Sequence, residues 1–311
     1  MMTNVRSVAV VGTGVIGMSW AAYFLSRGLE VRATDPAPGA EQRLRAFVED
    51  AWDDILALGG THERWEPRLT WCASVDDAVA SVQLVQENGP EDEALKREVF
   101  ATIDAAADAD AIVATSSSGL LISRLQTACA HPERCVVAHP FNPPHFVPLV
   151  EVVGGELTSP EVIARALAFY RAIGKHPIHV RKEIPGHIAN RLQAALWREA
   201  FHLVQQGVAS VEDVDTAISK GPGLRWALYG PIMLLHLSGG DAGLLHFWDH
   251  LAAPVQSWWK TLGEPDITPA FERQMNEGIG EETKGRTVRE LSRERDRRFV
   301  RMLAALAAEK P

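Results

Sequence analysis

His139 opens the run His-Pro-Phe-Asn-Pro-Pro at 139–144, and Glu151 follows twelve residues later within the apolar run Pro-Leu-Val-Glu-Val-Val at 148–153. The ordinary pKa of histidine lies near neutrality, which suits it to take a hydroxyl proton while a hydride leaves the same carbon. A carboxylate on its other ring nitrogen fixes the tautomer and stabilises the imidazolium that forms. An unpaired carboxylate in an apolar run is costly, so Glu151 needs a partner, and His139 is the economical choice. The same spacing also suits a capped loop histidine and a strand-edge glutamate facing water. Such acid/base chemistry is complete only with a hydride acceptor.

The N-terminal segment is built to hold one. Val-Ala-Val-Val at 8–11 precedes Gly12-Thr13-Gly14-Val15-Ile16-Gly17, and a helically periodic stretch follows. Gly12 permits a tight turn, Gly14 lets backbone approach a pyrophosphate, and Gly17 allows close packing of helix on strand. The pyrophosphate then sits on the free N–H groups of the helix start, around Val15 and Ile16. A second strand at 30–34 delivers Asp35 eighteen residues after the last glycine, near the ~20 expected of the acid that binds ribose hydroxyls. A carboxylate there repels a 2'-phosphate, so the expected cofactor is NAD rather than NADP. Asp35-Pro36 read alone is equally a turn after a strand.

These residues must be carried by a folded frame. Strand-like runs at 7–11, 30–34, 82–86, 111–115, 135–138 and 149–153 alternate with helical stretches at 15–27, 41–58, 93–106 and 160–173. That alternation predicts an α/β fold, a doubly wound and mostly parallel Rossmann sheet. After a strand at 176–180 the pattern becomes purely helical: 187–206, 211–219, 229–237, 241–262, 268–276 and 286–309. The expected division is therefore an NAD-binding domain at 1–184 and an all-helical domain at 185–311 for substrate binding and dimerisation.

Bulk properties narrow the function. The 311 residues exceed one typical domain, and 46% apolar residues supply a core. A net charge of −9 argues against nucleic-acid and anionic-membrane partners. The arginines at 286–301 are interleaved with Glu290, Glu294 and Asp296, as on a solvated helix face. Three cysteines, Cys72, Cys129 and Cys135, show neither CxxC nor a disulfide framework, and the first strand leaves no room for a signal peptide, so a cytoplasmic protein is expected. His246 and His250 lack the glutamate of a zinc helix, and His176 and His179 flank a proline in a strand; no metal is expected.

With the glycine fingerprint, His139 and Glu151 in hand, the chain resembles the L-3-hydroxyacyl-CoA dehydrogenase superfamily over residues 7 to about 250. The resemblance implies NAD-dependent oxidation of a 3-hydroxyl, with His139 and Glu151 catalytic. Ser118, in Thr-Ser-Ser-Ser-Gly at 115–119, fits the family's substrate-oxygen serine, and Asn190, in Gly-His-Ile-Ala-Asn-Arg at 186–191, fits its catalytic asparagine. On their own, serines before a glycine are usually a loop and an asparagine at a helix start a cap. The resemblance also puts Glu87 and Lys96 near the cofactor; taken alone each is a surface residue.

Within the superfamily the chain is more similar to the branch acting on small free hydroxy acids, the carnitine and gulonate dehydrogenases. The similarity lies in Val-Gln-Glu-Asn-Gly-Pro-Glu-Asp at 85–92, Gly-Pro-Gly-Leu-Arg-Trp at 221–226 and Gly-Gly-Asp-Ala-Gly-Leu-Leu-His-Phe at 239–247. Acyl-CoA enzymes of the superfamily carry a lysine-rich helical insert after the second strand to meet coenzyme A phosphates. Here residues 41–66 hold Glu41, Glu49, Asp50, Asp53, Asp54, Glu63 and Glu66 against Arg43, Arg45 and Arg64, a poor clamp for a polyanion.

A free hydroxy acid needs a cation for its carboxylate. Arg225 offers a planar bidentate donor, Lys220 is the alternative, and either also suits a helix cap. A trimethylammonium group calls for aromatic faces, for which Trp226, Tyr229, Phe247, Trp248 and Phe141 are candidates, although most such rings serve cores or interfaces. Trp258-Trp259 beside several leucines predicts a homodimer through the helical domain. The runs at 221–226 and 239–247, with Asp-Pro-Ala-Pro-Gly at 35–39, look most like the carnitine enzymes, so the resemblance implies L-carnitine first; three alternatives stand beside it: L-gulonate, an acyl-CoA thioester, and an NAD(H)-binding protein without turnover of the lens-crystallin kind.

Overall fold

A computed structural model describes residues 5–60 and 64–308. Glu63 lies outside the described residues. They form two compact units, the first reaching Arg191 and including the chain from Arg293 onward, the second running from Leu192 to Ser292.

Among its described residues the first unit is built on eight strands: β1 Ser7–Val11, β2 Glu30–Thr34, β3 Leu69–Trp71, β4 Leu84–Glu87, β5 Ile112–Thr115, β6 Cys135–Pro140, β7 Leu149–Gly154 and β8 His176–Val180. They form one sheet in the order β3-β2-β1-β4-β5-β6-β7-β8. Neighbours run parallel except β6 and β7, which are antiparallel. The chain goes out through β2 and β3 on one side of β1 and returns to β4 on the other. A ligand crevice is expected where the order reverses, beyond the carboxyl ends of β1 and β4.

The helices of this unit are α1 Val15–Ser26, α2 Ala40–Ala57, α3 Val75–Val79, α4 Glu93–Ala106, α5 Ile122–Leu125 and α6 Pro160–Ala172. The strands read as nearly continuous apolar runs because helices cover both faces. Alternate residues sort into two cores: Val8, Val10, Leu84, Ile112, Val136 and Val150 pack with α1 and α6, while Ala9, Val11, Val85, Val113 and Val137 pack with Phe100 and Ile103 of α4. Strand β3, which no sequence pattern marked, is three residues long at the sheet edge.

The second unit is helical throughout its described regular elements. Helix α7, Ala189–Gln205, enters it, and α8 Val211–Lys220, α9 Pro222–Trp226, α10 Pro231–Ser238, α11 Leu244–His246, α12 Ala252–Trp259 and α13 Pro269–Thr283 follow. Helix α14, Val288–Ala308, leaves it. The single helix expected at 241–262 is interrupted: Gly243 takes φ +57° and residues 247–251 form a π-helical turn before α12. Val204, Val211 and Phe271 form a small core with Phe201, Val214 and Met275 around them. The sequence grouped 185–311 together, but Phe299, Val300 and Leu303 of α14 pack against the core of the first unit. No helix among the described residues is long and apolar enough to cross a membrane.

Candidate active site

His139 and Glu151 are direct partners across the antiparallel β6–β7 ladder, which accounts for their spacing in sequence. A side-chain pair in that register lies on one face of the sheet. His139 Nδ1 donates to Glu151 Oε2 at 2.9 Å, and both residues are buried, at 5% and 0% exposure. The other Glu151 oxygen accepts from the N–H groups of Ile188 and Ala189 at 2.9 and 3.0 Å. Burial pushes the Glu151 carboxyl up, but the bonds from His139, Ala189 and Ile188 together outweigh it and hold its pKa below the usual carboxylate range. Glu151 is thus an anion at neutral pH, Nδ1 of His139 carries a proton, and Nε2 is the nitrogen left for chemistry. The Phe141 ring stands edge-on to His139 with centroids 6.0 Å apart.

Ser118 is exposed, three residues past the end of β5, in a loop gripped by a carboxylate that the sequence reading passed over. Glu91 accepts from Ser117 Oγ at 2.6 Å and from the N–H groups of Ser118, Gly119 and Leu120 at 3.0, 2.8 and 3.3 Å. Burial raises the Glu91 pKa, but these bonds and nearby Lys96 more than reverse it. Asn190 is half-buried in the first turn of α7, directly after the two amides that hold Glu151.

The glycine segment forms the turn from β1 into α1. Gly12 has φ +85°, and a Cβ there would lie 3.0 Å from the Asn88 and Gly89 backbone. A Cβ on Gly17 would lie 1.9 Å from the Gly12 carbonyl oxygen, so only glycine lets α1 approach this closely. Gly14 is different, since its Cβ would meet no atom within 4 Å. With Gly14 and Val15 exposed and Ile16 half-buried, the start of α1 opens onto free space, as an anion bound to its N–H groups requires. Asp35 follows β2, where its carboxylate accepts from the N–H groups of Thr13 at 2.6 Å and Ala37 at 2.8 Å. Thr13 Oγ1 is buried beside them without a partner among the described residues. An open helix start, a carboxylate against the turn and an unpaired hydroxyl together fit a dinucleotide.

Glu87 and Lys96 are not surface residues but an ion pair at the end of β4. Both are buried, with Lys96 Nζ donating to the two Glu87 oxygens at 2.9 and 2.8 Å and to the Gly89 carbonyl at 3.0 Å. Thr115 Oγ1 also donates to Glu87, at 2.6 Å. The pair braces the β4 end beside Gly12, and Glu91 is the carboxylate that reaches the serine loop. Its signal in sequence, an acid after Gly89-Pro90 and before the helix-capping Asp92, is too generic to single out. Arg225, Trp226 and Tyr229 belong to the second unit, where all three are exposed on and just after α9. The first unit brings together His139, Glu151, Phe141, the Ser118 loop and the start of α7.

A Rossmann sheet with an open glycine turn and a buried His–Glu pair beyond it defines an NAD-dependent dehydrogenase acting on a CH–OH group. The description "3-hydroxyacyl-CoA dehydrogenase, NAD binding domain" matches residues 7–184, and "3-hydroxyacyl-CoA dehydrogenase, C-terminal domain" matches residues 186–288. The chain belongs to the 3-hydroxyacyl-CoA dehydrogenase family. It is 47% identical to a Streptomyces coelicolor protein named L-carnitine dehydrogenase, over 97% of this chain and 95% of that one. A Bacillus cereus protein of the same name is 45% identical over 97% of this chain and 93% of its own. Among solved structures, an NAD+-dependent 5-formyl-3-hydroxy-2-methylpyridine 4-carboxylic acid 5-dehydrogenase superposes with a TM-score of 0.84 at 32% identity, covering 98% of this chain and 100% of that one. The (S)-3-hydroxybutyryl-CoA dehydrogenase of Ralstonia eutropha gives a TM-score of 0.64 at 28% identity, with 79% and 86% covered.

Proposed function

We propose that the chain oxidises the 3-hydroxyl of L-carnitine to the 3-ketone, 3-dehydrocarnitine, in the cytoplasm and as a homodimer. The substrate rests on one observation, the near-full-length identity of 47% to a protein named L-carnitine dehydrogenase. The acidity of α2 is consistent with it: Glu49, Asp50 and Asp53 are exposed there and would repel the phosphates of coenzyme A.

In this reading His139 takes the hydroxyl proton on Nε2, while Glu151 fixes the ring tautomer and balances the charge the ring acquires. Ser118 and Asn190 hydrogen-bond the reacting oxygen. Bound NAD supplies the hydride acceptor. The N–H groups of Gly14, Val15, Ile16 and Gly17 receive its pyrophosphate and Asp35 its ribose hydroxyls, while Glu87 and Lys96 stiffen the turn from behind. Arg225 takes the substrate carboxylate, and Phe141, Trp226 and Tyr229 supply aromatic faces for the trimethylammonium.

Support for the dimer is the apolar surface of the helical unit, where Trp258 and Trp259 are 63% and 62% exposed beside Leu262 and Leu251. Support for the cytoplasm is that all three cysteines are free. The deciding assay is the initial rate of NADH formation with L-carnitine, L-gulonate and L-3-hydroxybutyryl-CoA at matched concentrations. Carnitine should be preferred, and faster turnover of either rival overturns the substrate. Sedimentation of a monomer would overturn the dimer.

A further inference from the structure

His187 has no part in the scheme above, yet it adjoins three of its components. Its side chain is 2% exposed, and its ring centroid lies 5.1 Å from that of His139. Its Nε2 donates to the Ser117 carbonyl, one residue before Ser118, at 3.1 Å. The two amides that follow it in sequence, those of Ile188 and Ala189, are the ones that hold Glu151.

This placement is held at a cost. His187 has φ +48°, directly after Gly186 at φ +77°, and its Nδ1 is buried without a partner among the described residues. Glycine would relieve the backbone and phenylalanine the orphaned nitrogen, and the chain has neither. Burial, reinforced by the nearby His139 and against the bond to Ser117 and the carboxylates of Glu151 and Glu91, keeps the pKa of His187 below the ordinary histidine value. The ring is neutral at neutral pH, with its proton on the nitrogen that faces Ser117. What an imidazole supplies here, and phenylalanine would not, is that single N–H.

We infer that His187 is a positioning residue that ties the Ser118 loop to the His139–Glu151 pair, so that the base and the hydroxyl donor to the reacting oxygen keep one fixed geometry. The inference rests on the reading of the site given above. A loosened donor loop costs catalysis without touching the dinucleotide cradle.

The test is steady-state kinetics of the full chain carrying His187→Phe and His187→Gln, alongside wild type and His139→Ala, each checked for folding by thermal melting. His187→Phe keeps a planar ring and loses the N–H, so kcat should fall on the order of 10- to 100-fold with KM for NAD within about twofold. His187→Gln returns an amide N–H near the Nε2 position and should recover most of that loss. The deuterium isotope effect on kcat, with L-carnitine deuterated at the hydroxyl-bearing carbon, should rise in His187→Phe, because poorer positioning slows chemistry where a simple loss of stability would not. If His187→Phe does not fold, His187→Asn takes its place, its amide being too short to reach the Ser117 carbonyl. Wild-type kcat in the variant lacking the donor, or no recovery with glutamine, overturns the inference while an inactive His139→Ala leaves the site reading standing. A fully active His139→Ala overturns both; a wild type inert toward L-carnitine overturns the substrate alone, and the same variants are then read with whichever of L-gulonate or L-3-hydroxybutyryl-CoA it turns over.

Discussion

Replacing Glu151 with glutamine tests the His–Glu pair with almost no change of shape. The N–H groups of Ile188 and Ala189 point at one oxygen of Glu151, so the glutamine must turn its carbonyl toward them. Its NH₂ group then faces His139 Nδ1 and donates where a carboxylate accepted. The neutral ring responds by moving its proton to Nε2, the nitrogen that has to take the substrate proton. The imidazolium also loses its counter-charge: at 2.9 Å and an effective dielectric of about 20, that attraction is worth about 6 kcal/mol. Even if about 2 kcal/mol is recovered through other contacts, at ~1.36 kcal/mol per decade the remaining ~4 kcal/mol is a fall of about 10³ in kcat/KM. The assay is NADH formation against carnitine concentration at saturating NAD, with thermal melting and NAD affinity as controls. A folded, NAD-binding variant within about tenfold of wild type would refute the argument.

Three further substitutions read separate parts of the structure. Gly17→Ala drives a methyl group into the Gly12 carbonyl and should cost about 3 kcal/mol of stability, seen as a lower Tm. Gly14→Ala meets no atom of the protein, so it should leave Tm unchanged and weaken NAD binding by about tenfold or more, ~1.4 kcal/mol by titration; equal Tm losses in the two variants would refute the cradle. Asp54 has a pKa raised by burial and by Asp296, Asp53 and Asp50. A raised folded-state pKa stabilises below the unfolded value and forfeits that stability as pH rises through the folded one, so ionised Asp54 burdens the fold at neutral pH. Asp54→Asn should therefore raise Tm at pH 7, with the gain shrinking near pH 4; no gain at pH 7 would refute it.

The two periodicities of strand and helix were strong enough to read the Rossmann frame, because strands buried on both faces leave long apolar runs punctuated by amphipathic helices. Strand β3 escaped because three edge residues carry no period. The break within 241–262 escaped because Gly243 adopts a positive φ inside a stretch whose apolar spacing is otherwise helical. In the site, His139 and Glu151 were legible since an acid inside an apolar run demands a partner. The ladder adds what spacing cannot state, that the two face each other across an antiparallel pair. Glu91 and His187 were illegible for the opposite reason: most of their bonds go to backbone groups, which every residue possesses, and the one side-chain partner, Ser117, is one of three adjacent serines, so nothing in the side-chain pattern points to them. Glu87 and Lys96 show the converse, two charges nine residues apart whose mutual burial reverses their expected exposure.

The return of α14 to the first core bears on how the molecule is made. Phe299, Val300 and Leu303 complete an apolar layer begun by residues near the amino terminus, so on the ribosome that layer stays open while the intervening helices are synthesised. At about 5–20 residues per second the wait lasts several seconds, during which the helical unit behaves as an insertion within an unfinished domain. Premature termination between Arg191 and α14 would therefore release a nucleotide-binding domain with an uncovered flank. Such a fragment is a substrate for chaperones or proteases rather than a smaller working enzyme.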